Sequence, residues 1–312
     1  MTSTTTQSTT MAMNSVMTSH SLSTGMVGHN GEQEYCPVLV AIYSVVLLIG
    51  TISLSFMMHI LKSSTTSITS IAVLNLIFTH FVFLLTVPFR IYYFANLKWE
   101  LGRPWCRVVS GMIHIHMYMS FIFYVIILIT RLMSFYNKGG QMASIQRLHA
   151  LLGSAILWIV VLVMVPCIMY YSYGKNPNEE RNSTRCFDFA TSIVNHNGAI
   201  VVNYIISVFI IIVAIVLTAL QANVLRVLYR KHRQGCTSQQ DFGAQQKSLF
   251  FALIMVISLI PYHLFRIYYL NNLKHLQSLN EVFLSLTTFN CLDTLTFLGR
   301  RTCLRCFPRQ AI

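Results

Sequence analysis

Acidic residues are scarce in this chain. Its 312 residues include nine Asp and Glu against 22 Lys and Arg, and charged side chains of both signs make up only 10%. A soluble domain of this size carries far more charge, so that class is excluded. No glycine-rich loop of the kind that cradles a phosphate is present, and no nucleophile and base stand at catalytic spacing, which argues against an enzyme. No internal repeat marks a secondary transporter. Residues 1–30 lack both a basic start and an apolar core, so they do not form a cleavable signal peptide.

Apolar residues fill the space that charge leaves. They make up 54% of the chain, and the mean hydropathy is +0.59. Long apolar runs recur at 37–61, 66–94, 108–135, 148–171, 199–228, 248–270 and 279–298. Each is long enough to cross a hydrocarbon core of about 30 Å, which takes about 20 helical residues. The expectation is an all-α membrane protein, a bundle of seven transmembrane helices embedded in the lipid bilayer.

The net charge of +13 is distributed as a membrane protein requires, and no nucleic-acid partner is expected. With the N-terminus outside, the inner segments hold thirteen basic residues, among them Lys62, Arg131, Arg147, Arg230, Lys231 and Arg300, against one acid, Asp241. The outer segments mix both signs. The positive-inside rule therefore places the N-terminus outside and the C-terminus in the cytoplasm, and the basic inner face suits an anionic leaflet. Residues 1–36 read as a disordered extracellular tail rich in Ser, Thr, Met and Asn. Residues 37–299 form the membrane domain and residues 300–312 a short basic cytoplasmic tail. The sequon Asn182-Ser183-Thr184 falls between spans four and five, on the outer side, and makes Asn182 a glycosylation candidate.

Cysteine usage divides by compartment. Cys106 and Cys186 both lie in outer segments, where an oxidising environment would let them bridge, and Cys36 leaves the outer count odd. Cys167 and Cys291 lie within spans and read as packing residues. Cys303 and Cys306, beside Phe307, suit a short surface helix at the inner face and are palmitoylation candidates, with unmodified thiols the alternative. The inner loops are too short to hold a catalytic domain.

Several marks then coincide. Asn75-Leu76 and Thr86-Val87-Pro88 bracket span two, and Trp99 lies in the first outer loop. Cys106 opens span three, and Thr130-Arg131-Leu132 closes it. Trp158 lies in span four, Pro261-Tyr262-His263 in span six, and Cys291-Leu292-Asp293-Thr294 in span seven. Together these resemble the rhodopsin-like (class A) G-protein-coupled receptors, in the purinergic-type branch, over about residues 35–307. The resemblance implies an outward ligand cavity, an extracellular ligand, a heterotrimeric G protein at the inner surface of the plasma membrane, and no cofactor. It makes Cys106 and Cys186 the family's disulfide, Arg131 its G-protein-facing arginine and Pro261 the kink of span six. The sequence departs from the family at Thr130, Leu132, Met255, Leu259, Thr294 and Phe297, and span five has no proline.

The most informative departure is His80. Counting from Asn75 places it where the family carries an aspartate that holds a sodium ion, and the same counting puts His116, Ser120, Asn290 and Asp293 in that pocket. An imidazole is a poor sodium ligand, so no metal is expected there. An ionised Asp293 in a poorly solvated bundle is costly alone. A His80–Asp293 pair is one arrangement that relieves it. The other is a neutral His80 bonded to a carbonyl or water, with Asp293 turned toward water. At the inner end, Asp241 is expected to clasp Arg131 in the inactive state, or else to cap span six. At the outer end, Arg90, His263 and Arg266 are candidate contacts for an anionic ligand, unless Arg266 pairs with Glu281 or snorkels to the headgroups. Ile113 stands where amine receptors carry an acid, so a cationic amine is not expected.

The sequence reads as a receptor that passes an extracellular or basal signal to G proteins. The alternative is a heptahelical protein that no longer couples and serves as a scavenger or receptor partner. A proton path through His80, His114 and His116 is the weakest reading, because no chain of acids carries it to both faces.

Overall fold

The computed structural model describes residues 35–58, 68–136, 151–163, 186–187, 197–233, 239–271 and 276–293. Among these, all regular structure is helical, as it must be where lipid offers the backbone no partner for its N–H and C=O groups. Span one is α1 (Tyr35–Met58). Span two comprises α2 (Ile68–Leu84) and α3 (Val87–Asn96), and span three is α4 (Arg103–Tyr136). Span four is described over α5 (Leu151–Val163). Spans five and six are α6 (Asn197–Arg233) and α7 (Gln239–Tyr269). Span seven is α8 (Gln277–Leu286), continued as a 3₁₀ helix over Thr287–Leu292. The chain forms a seven-helix membrane bundle, and five of its helices are long and apolar enough to cross by themselves.

Helices three, five and six run past the ends of their apolar runs. Span six begins at Gln239, well before the predicted 248, and span five reaches Arg233. Hydropathy marks only the part of a helix within hydrocarbon. The polar stretch Gln239–Lys247 continues the helix beyond the apolar run.

Span two is a single apolar run in sequence and two helices in space. Pro88 has no N–H to give and crowds the preceding turn, so the helix breaks ahead of it. The break is closed locally, since Thr86 donates both its N–H and its hydroxyl to the Phe83 carbonyl, at 2.8 and 2.7 Å. The outer piece ends at Leu97, in the left-handed region at φ 54°, whose N–H returns to the Tyr93 carbonyl. The Trp99 indole then donates to the Gly102 carbonyl at 2.7 Å, and Gly102 adopts φ 81°, which a side chain would strain.

Among the described residues, spans five and six pack together extensively, as do spans two and three. Span five turns much of its surface outward, with Phe209, Ile205 and Ile212 exposed, whereas span three runs through the centre and buries Met117, Phe123, Tyr124 and Leu128. Its central position brings His116 and Tyr124 against spans two and seven. A disulfide joins Cys106, at the start of span three, to Cys186. Cys186 and Phe187 are thereby folded over the outer end, where Phe187 packs against Tyr93, Phe94 and Trp99. The terminal tails, the surface helix with Cys303 and Cys306, and Asn182 lie outside the described residues.

Candidate functional site

Two buried polar centres lie in the bundle. The inner one forms where spans two, three and seven meet. His80 is 1% exposed, His116 1%, and Asn290 and Asp293 0%. His80 Nε2 lies 3.3 Å from Asp293 Oδ2, and the Tyr124 hydroxyl donates to the same carboxylate oxygen at 2.7 Å. The other nitrogen of His80, Nδ1, lies 2.9 Å from His116 Nε2. Cys291 Sγ completes the group at 3.4 Å from His116 Nε2 and 3.7 Å from His80 Nδ1. The Phe83 ring stacks on His116 with centroids 4.3 Å apart and closes that side. Asn290 accepts a hydrogen bond from Ser258 of span six. Ser120 is buried, but among the described residues its hydroxyl has no hydrogen-bond partner and does not join the bonded set.

A hard cation such as sodium requires several oxygen ligands. The donors bonded to one another here are two imidazoles, a thiol, the Tyr124 hydroxyl and a carboxylate whose Oδ2 already faces His80 and Tyr124, a set with nitrogen and sulfur at its centre rather than the all-oxygen shell a hard cation prefers. Of the five residues expected here, the structure brings His80, His116, Asn290 and Asp293 together and leaves Ser120 out of the bonded set, while Tyr124, Cys291 and Ser258 join without having been expected. Tyr124 lies eight residues after His116, two turns along the same face, which was the available signal. Cys291 reads as packing because a thiol is as apolar as its neighbours.

The outer centre is built on Arg90, which is 0% exposed. It donates to the Tyr43 hydroxyl at 3.1 Å and the Val109 carbonyl at 3.2 Å, and lies 3.6 Å from Glu281 Oε2. Its guanidinium carbon sits 4.4 Å from the Phe187 ring centroid. Arg90 therefore faces protein groups from spans one, three and seven rather than an open cavity, and it is Glu281's ion-pair partner. Arg266 donates to the side-chain oxygens of Asn280, at 3.2 Å, and Asn203, at 3.3 Å, and so spans helices five, six and seven. His263 Nδ1 meets Ser207 Oγ at 3.3 Å. A small outer cleft of about 30 Å³ opens beside this centre, lined by Tyr35, Leu39, Tyr93, Phe187, Gln277 and Glu281 among others.

At the inner end Arg131 is half-buried, and its carbonyl accepts from Gln245 Nε2 at 3.3 Å. Gln245 is in turn bonded to Gln221, which ties the inner ends of spans three, five and six. The side chain of Asp241 lies outside the described residues. A further polar knot holds spans two and four, where Asn75 Oδ1 accepts from Ser154 at 2.6 Å and from the Trp158 indole at 3.0 Å.

Comparison with known proteins agrees with this architecture. Residues 53–293 match the 7 transmembrane receptor (rhodopsin family). The chain is 38% identical to Probable G-protein coupled receptor 141 of Homo sapiens over 88% of its own length and 93% of that protein. It is 26% identical to Probable G-protein coupled receptor 34 of Mus musculus, covering 85% and 74%. It is 28% identical to a purinoceptor of Cavia porcellus, over 48% and 40%, which accords with the purinergic-type branch. Members are multi-pass plasma-membrane proteins that pass extracellular signals to heterotrimeric G proteins. The chain belongs to the rhodopsin family of seven-transmembrane receptors.

Proposed function

We propose that this receptor answers an anionic extracellular ligand and signals through Arg131 at its inner face, with an extracellular N-terminus and a cytoplasmic C-terminus. The membrane domain runs over residues 37–299, between the two tails. Support for the anion comes from Arg266. It is 6% exposed and its guanidinium is held by two neutral amides, Asn203 and Asn280, so it is oriented without losing its charge. A planar fork held in that way suits a carboxylate or phosphate. His263, one turn earlier on span six, and the purinergic relatives point to the same class. Arg90 underlies the site as a lock rather than a contact.

In the central pocket, the internal His80–Asp293 pair takes the place of a bound sodium ion. At the inner face, Arg131 lies where spans three, five and six are joined through Gln221 and Gln245, the region that must open for a G protein to insert. Asp241 clasps Arg131 in the inactive state.

The single observation that carries the reading is the placement of half-buried Arg131 at the junction of those three inner helix ends. The test is G-protein activation in cells, measured across G-protein classes with wild type and Arg131→Ala at matched surface expression. Wild type is expected to activate at least one class, and Arg131→Ala to lose most of that signal. Equal signals from the two would overturn the assignment of Arg131.

A further inference from the structure

The contact between His80 Nε2 and Asp293 uses only one side of the imidazole. The other side looks into a cluster that signalling leaves without a task. His80 Nδ1, His116 Nε2 and Cys291 Sγ form a triangle with edges of 2.9, 3.4 and 3.7 Å. All three residues are buried, and they come from spans two, three and seven.

We propose that His80, His116 and Cys291 form a zinc(II) site inside the bundle, with Asp293 orienting His80 through its remaining nitrogen. A tetrahedral zinc ion has Zn–N of about 2.0–2.1 Å and Zn–S of about 2.3 Å, which sets its nitrogens about 3.3 Å apart and nitrogen and sulfur about 3.6 Å apart. The observed edges match that pattern to within about 0.4 Å, so closure on the ion requires side-chain adjustment rather than helix movement. The donor set, two imidazoles and a thiolate, selects a soft or borderline metal and rejects sodium, calcium and magnesium.

The surroundings are those of a metal-binding histidine. A ligating imidazole commonly donates its second N–H to a carboxylate, which fixes tautomer and ring orientation. His80 Nε2 faces Asp293 Oδ2 at 3.3 Å, and Tyr124 anchors the same oxygen. His116 is held by the stacked Phe83 ring. Charge also balances. Zinc enters as a dication; the Cys291 thiol releases its proton, and the proton shared between the two imidazoles leaves as well. The ion, the thiolate and the Asp293 carboxylate then sum to zero, which a poorly solvated bundle favours. The bound ion ties three spans that chain connectivity leaves separate. This inference stands apart from signalling and does not depend on a ligand or a G protein.

The test uses the full chain purified in lipid nanodiscs, with cobalt(II) as the spectroscopic probe. Wild type is expected to show a thiolate-to-cobalt charge-transfer band and the strong visible absorption of a tetrahedral site, whose fourth ligand is a water, both abolished by one equivalent of zinc. Cys291→Ser should lose the charge-transfer band, His116→Gln should weaken cobalt binding at least tenfold, and the Cys303→Ser/Cys306→Ser double variant should retain the wild-type spectrum. Elemental analysis should find one zinc per chain in wild type and none in Cys291→Ser. Zinc should raise the apparent melting temperature of the former only. Absence of a thiolate band from wild type overturns the site without reference to any variant, and so does an unchanged spectrum in Cys291→Ser. Should Cys291→Ser fail to fold, Cys291→Ala serves in its place.

Discussion

The His80–Asp293 contact yields a quantitative expectation. At 3.3 Å and an effective dielectric of about 20, two unit charges attract by about 5 kcal/mol. Both groups are about 1% exposed, so desolvation offsets a large part of that attraction. Removing one partner of a buried pair costs about 3–5 kcal/mol, because the other charge is left uncompensated. His80→Gln should therefore be the most damaging single change, since it leaves the carboxylate with the Tyr124 hydroxyl and a neutral amide. Asp293→Asn keeps an acceptor for His80 and Tyr124 and leaves an imidazole that can shed its charge by releasing a proton, so it should cost less, about 1–2 kcal/mol. The double variant removes both charges together and should recover about 2 kcal/mol relative to the sum of the singles.

Helical membrane proteins unfold irreversibly in many settings, so the assay is the rate of thermal inactivation in nanodiscs at a fixed temperature. A coupling of about 2 kcal/mol appears as a roughly thirtyfold departure from multiplicative rates. Rates that multiply to within about twofold would show that the two groups do not act as a pair. A second arm applies to cells. Replacing external sodium with choline should leave basal signalling unchanged, because an imidazole, His80, faces the Asp293 carboxylate where sodium would need oxygen ligands. A sodium-dependent shift would refute that substitution.

The outer centre and the Asn75 knot give further expectations. Arg90→Gln should lower surface expression and accelerate thermal inactivation by the equivalent of about 3–5 kcal/mol, since Glu281 loses its buried cation. Arg90→Lys should rescue little, because a single ammonium cannot serve Tyr43, Val109 and Glu281 while lying on the Phe187 ring. A paired Arg90→Met/Glu281→Leu variant should recover most of the loss in the same inactivation assay, and failure to do so would mean that Arg90 serves more than structure. Asn75→Ala should cost about 1–3 kcal/mol by stripping the acceptor shared by Ser154 and Trp158. Measured beside Ser154→Ala in a double-mutant cycle, it should be non-additive by at least about 0.5 kcal/mol.

The helices were legible from the sequence because hydrocarbon leaves the backbone so few options, and His80 was legible because an ionisable ring in an apolar run demands an explanation. The partners were harder to read. Tyr124 and Cys291 carry their polar atoms on side chains that pass for packing residues, and only the crossing of spans three and seven reveals which way they point. Arg90 illustrates the opposite error. Its position near the outer mouth suggested a ligand, whereas Tyr43, forty-seven residues earlier, and Glu281, far later in the chain, enclose it. Pairings of that separation leave no periodic trace in sequence. The same holds for Arg131, whose neighbourhood is set by Gln221 and Gln245 on two other helices.

Span seven shows how the fold compensates for a departure that the sequence made plain. The family's proline after the span-seven acid is Thr294 here, so the usual helix breaker is missing. A break is nevertheless present earlier, where the α-helix tightens to 3₁₀ over Thr287–Leu292. Ser285, Thr287 and Thr288 turn their hydroxyls back onto the carbonyls of Val282, Leu284 and Ser285 at 2.6–2.7 Å. Such back-bonding competes with the helical ladder and bends it, and a 3₁₀ stretch within a span often marks a hinge. The hinge lies between Glu281, which holds Arg90 in the outer centre, and Asp293, which holds His80 in the inner one. Any movement of the outer part of span seven that reached Asp293 along this helix would have to cross this segment. The two acids stand on one helix, on either side of the stretch that the three back-bonded hydroxyls tighten.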